Sequence, residues 1–234
     1  NYLLSLLLKS LKIKTLLLSM PAKILFVISE VGSANYCLPL WNRWSKASNE
    51  CDWKILTNER VIKTTKLNKF SKKLIKNYNP KESFEFNINK LNWSPEIIFS
   101  SAANKNIEFE SMLYSSKKKI KGIQFFDTWY SYHERIAKKK KNMLATKICV
   151  INQDSLLEAI QEGIKKEKIH IIGQPALENI KPIPKNAANN IMFVNQPISK
   201  YPHLKFLNYN EKDVWNILFD SIKKIRDNYI FFYF

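Results

Sequence analysis

From residue 20 onward the chain alternates short, almost continuously apolar runs with longer amphipathic stretches. The first run, Lys23–Ser29 (KILFVIS), is rich in β-branched residues and has the length of a strand. Similar runs recur at Trp53–Thr57 (WKILT), Glu96–Ser100 (EIIFS), Gly122–Asp127 (GIQFFD), Lys147–Asn152 (KICVIN) and Lys168–Gly173 (KIHIIG). Ser83–Ile88 is a weaker strand candidate. A strand that is apolar on both of its faces must be covered on both faces. That requirement, with helical period between the runs at 35–47, 60–76 and 107–116 and after a cap at Asp154 or Ser155, predicts a parallel α/β sheet.

Residues 178–189 (ENIKPIPKNAAN) lack periodicity and read as a linker. The pattern then restarts with a strand at Asn190–Asn195 and a helix over 211–225 capped by Asn210. The expected architecture is therefore a Rossmann-like parallel sheet domain at 20–177, followed by a truncated second Rossmann-like domain at 190–234. Residues 1–19 carry leucines interrupted by Lys9, Lys12 and Lys14, in an order unlike a signal peptide. They read either as an amphipathic helix on a membrane surface or as sequence upstream of a start at Met20. The apolar end at 230–234 reads as a strand in a truncated chain.

Charge narrows the function classes. Lys+Arg number 38 against 20 Asp+Glu, a net charge of +18. Only Arg43, Arg60, Arg135 and Arg226 are arginine, so 34 basic residues are lysine. Base reading and phosphate clamping favour the bidentate arginine fork, and no nucleic-acid recognition motif is present; a nucleic-acid partner is not expected. The lysine excess fits an AT-rich coding bias or attraction to acidic lipid, nucleic acid or phosphorylated substrates, which leaves a basic nucleic-acid- or membrane-surface-binding protein as the alternative function. Cys37, Cys51 and Cys149 form no CxxC pair, which argues against a disulfide framework and a structural zinc site and for a reducing cytoplasm. No metal-ligand spacing, P-loop or dinucleotide fingerprint is found, so neither metal nor cofactor is expected.

In parallel α/β sheets, ligands bind beyond the carboxyl ends of the strands. There the chain places Glu30, Gly32, Ser33 and Asn35 after the first strand, with Gly32 read as a tight turn. Small residues Ser100–Asn104 follow another strand. Asp127-Thr128-Trp129-Tyr130-Ser131-Tyr132-His133-Glu134-Arg135 is the densest group of proton-transferring and sugar-gripping side chains. Within it Asp127 and His133 are candidate general bases, and Tyr130 is a stacking surface. His170 reads as packing within a strand, and His203 has no evident role.

The segments MPAKILFVISEVGSANYCLPLWNRW, GIQFFDTWYSYHERI, KIHIIGQP and NNIMFVNQP, in that order, resemble the GT-B glycosyltransferase fold, including its sugar-nucleotide 2-epimerases. The resemblance covers roughly residues 20–225 and implies a first domain holding the acceptor and a second holding a nucleotide-sugar donor. It implies that Glu30–Asn35 lie on the acceptor side of the cleft. Asp127 or His133 would deprotonate the acceptor hydroxyl. Gln174, in Gly173-Gln174-Pro175, stands where the family often has a Gly-Asn-Pro turn at the interdomain crossover. The implied function is transfer of a sugar to a cell-surface polysaccharide or glycolipid, or else epimerisation of the sugar nucleotide. The enzyme would sit in the cytoplasm or against the inner face of the membrane. Members carry several glycines in the first loop, whereas only Gly32 stands here. The residues that grip base and ribose would fall beyond Phe234, so a fragment inactive alone is expected.

Overall fold

Strand β1 (Ala22–Ile28) sets the geometry of the molecule. Its side chains alternate between two separate cores, Ile24, Phe26 and Ile28 on one face and Leu25 and Val27 on the other. This two-sided burial is why its sequence reads as one apolar run. The computed structural model describes residues 22–46, 51–102, 106–129, 131–137, 145–177, 190–192, 198–200, 206, 208–224 and 230–232. Residues 1–19, read as a membrane-surface helix or as upstream sequence, and 178–189, read as a linker, lie outside these residues. The chain divides into two compact units, Asn1–Asn179 and Ile180–Phe234.

In the first unit β1 is followed by α1 (Val31–Trp44), β2 (Cys51–Thr57), α2 (Glu59–Thr64) and β3 (Ile75–Asn77). Next come α3 (Phe84–Asn89), β4 (Ile97–Ser101), α4 (Asn106–Lys117) and β5 (Lys121–Phe125). The unit closes with α5 (Tyr132–Ala137), β6 (Lys147–Val150), α6 (Gln153–Gln161) and β7 (Ile169–Ile171). These seven strands form one parallel sheet in the order β3-β2-β1-β4-β5-β6-β7. Ile24 is flanked by Trp53 on β2 and Ile97 on β4.

Helix α1 covers one face. Trp41 and Trp44 pack on Phe26 with ring centroids 5.5 and 5.7 Å away, and Trp53 and Phe99 complete that aromatic group at 6.4 and 5.3 Å. Helices α3, α4 and α6 cover the other face through Phe84, Ile88, Ile107, Met112 and Ala159. Pro39 lies inside α1. It has no N–H for the Asn35 carbonyl four residues back, and Asn35 is exposed, so water can serve that carbonyl.

Three expectations are corrected. Ser83–Ile88 is a helix, not a strand. Ser83 Oγ accepts the Phe86 N–H at 3.1 Å, and the buried set Phe84, Asn87 and Ile88 follows helical period, while Phe86 is 49% exposed. The helix expected over 60–76 stops at Thr64: Thr65 turns extended and its hydroxyl bonds back to the Val61 carbonyl. A short 3-10 turn and the edge strand β3 follow. The cap of α6 is Asn152, whose Oδ1 accepts the Ser155 N–H at 2.9 Å, not Asp154 or Ser155.

In the second unit β8 (Asn190–Met192) pairs in parallel with β9 (Ile230–Phe232), and α7 (Glu211–Lys224) lies between them in sequence. Asn210 caps α7 as expected: its Oδ1 accepts the Lys212 N–H at 2.8 Å, and Asp213 Oδ2 accepts the Asn210 N–H at 2.8 Å in return.

Candidate functional site

The strand order reverses between β1 and β4, and the helices that follow these two strands cover opposite faces of the sheet. A crevice opens at the carboxyl ends of such a pair, and it is the usual ligand site of doubly wound sheets. Glu108, in the first turn of α4, bridges it. Its Oε1 accepts the Ser29 N–H at 2.8 Å and the Ser29 hydroxyl at 2.5 Å from the end of β1, and the Ser101 hydroxyl at 3.4 Å from the end of β4. Glu108 is fully buried, and its Oε2 has no hydrogen-bond partner among the described residues. Burial pushes the carboxyl up to about 7, against the Ser29 bonds that favour its charged form, and Glu30 adds a smaller upward push.

Beside this bridge lies a cleft of about 540 Å³ at the carboxyl ends of β1, β2 and β3. Ser29, Glu30, Asn58, Arg60, Asn77 and Tyr78 are among its lining residues. Several of these are held in place. Asn58 Nδ2 donates to the Ser29 carbonyl at 2.8 Å while its Oδ1 caps α2 through the Val61 N–H. The Tyr78 hydroxyl donates to Glu110 Oε2 at 3.1 Å. Arg60 is exposed on the wall. Amide, hydroxyl, guanidinium and carboxylate groups (Glu30 and Glu59 beside Arg60) around a partly apolar cleft suit a polyhydroxylated ligand.

A second arrangement joins α1 to the end of β5. Ser33 Oγ donates to the half-buried Asp127 Oδ2 at 3.0 Å. Gly32 is not the expected tight turn but part of the first helical turn, because α1 already starts at Val31. A Cβ at Gly32 would stand 3.8 Å from Asp127 Oδ2, an ordinary contact. One turn on, the Tyr36 hydroxyl donates to the Gly173 carbonyl at 2.8 Å, and its ring stacks on Phe125 at 4.8 Å. Gly173 has φ +79°, the left-handed conformation that favours glycine. Gln174 is half-buried, and its Oε1 has no hydrogen-bond partner among the described residues.

The structure thus brings Ser33, Gly32 and Asp127 together and places Glu30 at the cleft, while Asn35 is exposed. His133 lies on α5, but its side chain and all of Tyr130 fall outside the described residues. Around them, Trp129 is 51% exposed, the Tyr132 hydroxyl donates to the Thr128 carbonyl, and Arg135 bonds the Thr128 hydroxyl while lying over the Phe126 ring. His170 is half-buried in β7, as its alternation with isoleucines suggests. Among the described residues no His/Cys/Asp/Glu group is arranged to hold a metal ion, and no helix is long and apolar enough to cross a membrane.

Glu108 was not legible as a site residue, since an acid in a helix is ordinarily solvated. The signal lay in its spacing: Glu108, Ser111, Met112 and Ser115 recur at helical period, and all four are buried.

A doubly wound parallel sheet with helices on both faces defines a Rossmann-like α/β domain. No family model matches the chain, and no curated protein matches it. Solved structures do. The S. aureus MnaA–UDP co-structure matches with a TM-score of 0.50 at 12% identity, over 67% of this chain and 46% of that one. UDP-GlcNAc 2-epimerase from Neisseria meningitidis bound to UDP-GlcNAc gives 0.47 at 16% identity (66% and 47%), and Acinetobacter baumannii MurG gives 0.48 at 8% identity (75% and 50%). The chain spans about half the length of these structures. The likeness is one of fold: this is a Rossmann-like α/β protein whose structural neighbours are GT-B proteins.

Proposed function

We propose that the chain is the acceptor-binding half of a nucleotide-sugar-dependent glycosyltransferase that builds a cell-surface polysaccharide or glycolipid. The observation that carries the reading is the half-buried Asp127 carboxylate, held by Ser33 at the carboxyl edge of the same sheet whose β1, β2 and β3 ends form the cleft. In this role Asp127 takes the proton of an acceptor hydroxyl. The freed oxygen attacks the anomeric carbon of the donor, and the nucleoside diphosphate leaves with the bonding electron pair. The cleft residues Glu30, Asn77, Tyr78 and Arg60 hold the acceptor glycan, with Tyr130 and Gln174 as further contacts and His133 as the rival base. The UDP in the MnaA structure supports a uridine nucleotide as the donor's leaving group. Contact with the inner face of a membrane would bring a lipid-linked acceptor within reach.

The test is release of UDP from UDP-GlcNAc by the complete gene product, with and without lipid-linked glycan acceptors. Acceptor-dependent release that drops by two orders of magnitude or more in Asp127→Asn supports the reading; about that much is what a positioned base supplies. Conversion of UDP-GlcNAc to its 2-epimer without any acceptor would replace it with the epimerase reading. Release unaffected by both Asp127→Asn and His133→Ala removes the catalytic assignment.

A further inference from the structure

We propose that Glu108 is a positioning residue for this site: by gaining or losing a proton it sets whether the Ser29 hydroxyl offers its hydrogen or only its lone pairs to a ligand oxygen in the cleft. An ionised carboxylate accepts only. Glu108 Oε1 then takes both Ser29 donors, at 2.8 and 2.5 Å, and Ser29 can offer the cleft nothing but oxygen lone pairs. The short O–H···O contact is that of a charge-assisted bond. Once a proton from solvent sits on Glu108, the carboxyl donates it to Ser29 Oγ, and the Ser29 hydrogen is released toward the cleft, of which Ser29 is a lining residue.

The surroundings make this carboxyl able to change state near neutrality. It is fully buried, and among the described residues Oε2 has no partner to stabilise a charge. The groups facing it are Glu30 after β1 and, across the cleft, Tyr78, whose hydroxyl is occupied by Glu110 and is pushed up to about 12 by burial. From β4 it meets the neutral Ser101. On α3, Glu85 is engaged by Lys118 at 2.8 Å, at the far end of α4. No cation is among the described partners of Glu108.

The ligand in this inference rests on the glycosyltransferase reading; the proton coupling does not, and its test needs no substrate. Carboxyl-¹³C glutamate is incorporated into the 234-residue chain, and the pH titrations of the Glu108 carboxyl and the Ser29 amide are followed together by NMR. Both should move with one midpoint near 7. In Ser29→Ala the Glu108 midpoint should rise by about one pH unit, since a hydrogen bond favouring the charged form is lost. In Glu108→Gln the Ser29 amide should stop titrating. An unmoved midpoint in Ser29→Ala, or a Ser29 amide that titrates apart from Glu108 in the wild type, overturns the proposal. The wild-type comparison stands even if a variant does not fold. In the UDP-release assay, the acceptor KM should follow the same midpoint in the wild type and lose that dependence in Ser29→Ala. An enzyme with no turnover at any pH would sink the glycosyltransferase reading and leave the NMR result to decide the coupling.

Discussion

The Ser33 hydroxyl, in the first turn of α1, donates to Asp127 Oδ2 at 3.0 Å across 94 positions of sequence. It joins the helix that follows β1 to the loop that follows β5, and it holds one of the two Asp127 oxygens. If Asp127 is the base, Ser33→Ala leaves the carboxylate in place but loosely oriented. We expect kcat for UDP release to fall about tenfold with acceptor KM little changed, because orientation is lost and binding is not. The urea midpoint should drop by an amount equivalent to about 1 kcal/mol, the usual cost of a single lost hydrogen bond. A kcat equal to that of the wild type would show that Ser33 serves α1 alone.

Glu108 makes the fold's stability depend on pH in a defined direction. Its folded value is raised to about 7 from an ordinary 4.5, so between these limits the native state holds a proton that the unfolded chain does not. Its contribution is full below about 4.5 and is lost as pH rises through 7. The full span is worth up to about 3 kcal/mol for a shift of this size. Urea denaturation of wild type and Glu108→Gln between pH 4.5 and 8 isolates the effect. The variant should lack the decline that the wild type shows over this range, and parallel curves would place the Glu108 proton elsewhere.

Two glycines answer to different physics. A Cβ on Gly122, in β5, would stand 2.5 Å from Ser115 Oγ and 3.0 Å from Met112 Sδ, where α4 lies tight against the sheet. Gly122→Ala should cost about 1–3 kcal/mol by overpacking, with Gly122→Ala/Ser115→Gly recovering most of it. Gly173 has open space around it but φ +79°. Gly173→Ala should cost about 1 kcal/mol from backbone strain alone, and Gly173→Asn less, since Asn tolerates this conformation. Thermal denaturation of the four variants separates the two causes.

The sheet was legible because its inner strands are buried on both faces, which leaves continuous apolar runs at β1, β4, β5 and β6, with similar runs at β2 and the edge strand β7. Their order is not written in the runs and came only from the structure. The segment 83–88 misled because Phe84, Phe86 and Ile88 alternate like a strand, while the Ser83 cap and the buried Asn87 make it a helix. Helix α1 starts earlier than expected because Glu30 precedes it without a side-chain cap and Gly32 reads as a turn. In the candidate site, Asp127 was singled out because it opens the dense polar and aromatic cluster 127–135 just past an apolar strand. Glu108 was not, since the partners that hold it, Ser29 and Ser101, are brought to it by β1 and β4. The cleft residues Asn58, Asn77 and Tyr78 were missed for the same reason, being scattered over strand ends that only the fold aligns.

The three cysteines give a readout of whether this core is intact. Cys37, Cys51 and Cys149 are all buried, and none forms a disulfide. Burial pushes the Cys149 thiol up to about 12 and Cys37 well above its ordinary value, with the Asp127 charge adding to the rise at Cys37. A thiol reacts as its thiolate, and at pH 8 neither Cys37 nor Cys149 has an appreciable share of it. The native first unit should therefore show no reaction with a disulfide reagent on the timescale of minutes, and all three thiols should react at once in denaturant. Removing the Asp127 charge should lower the Cys37 value without exposing it, so Asp127→Asn should stay as unreactive as the wild type. Rapid labelling of Cys37 in that variant would mean that Asp127 holds α1 against the sheet, and the loss of activity in Asp127→Asn would then have to be read as structural rather than as the loss of a base.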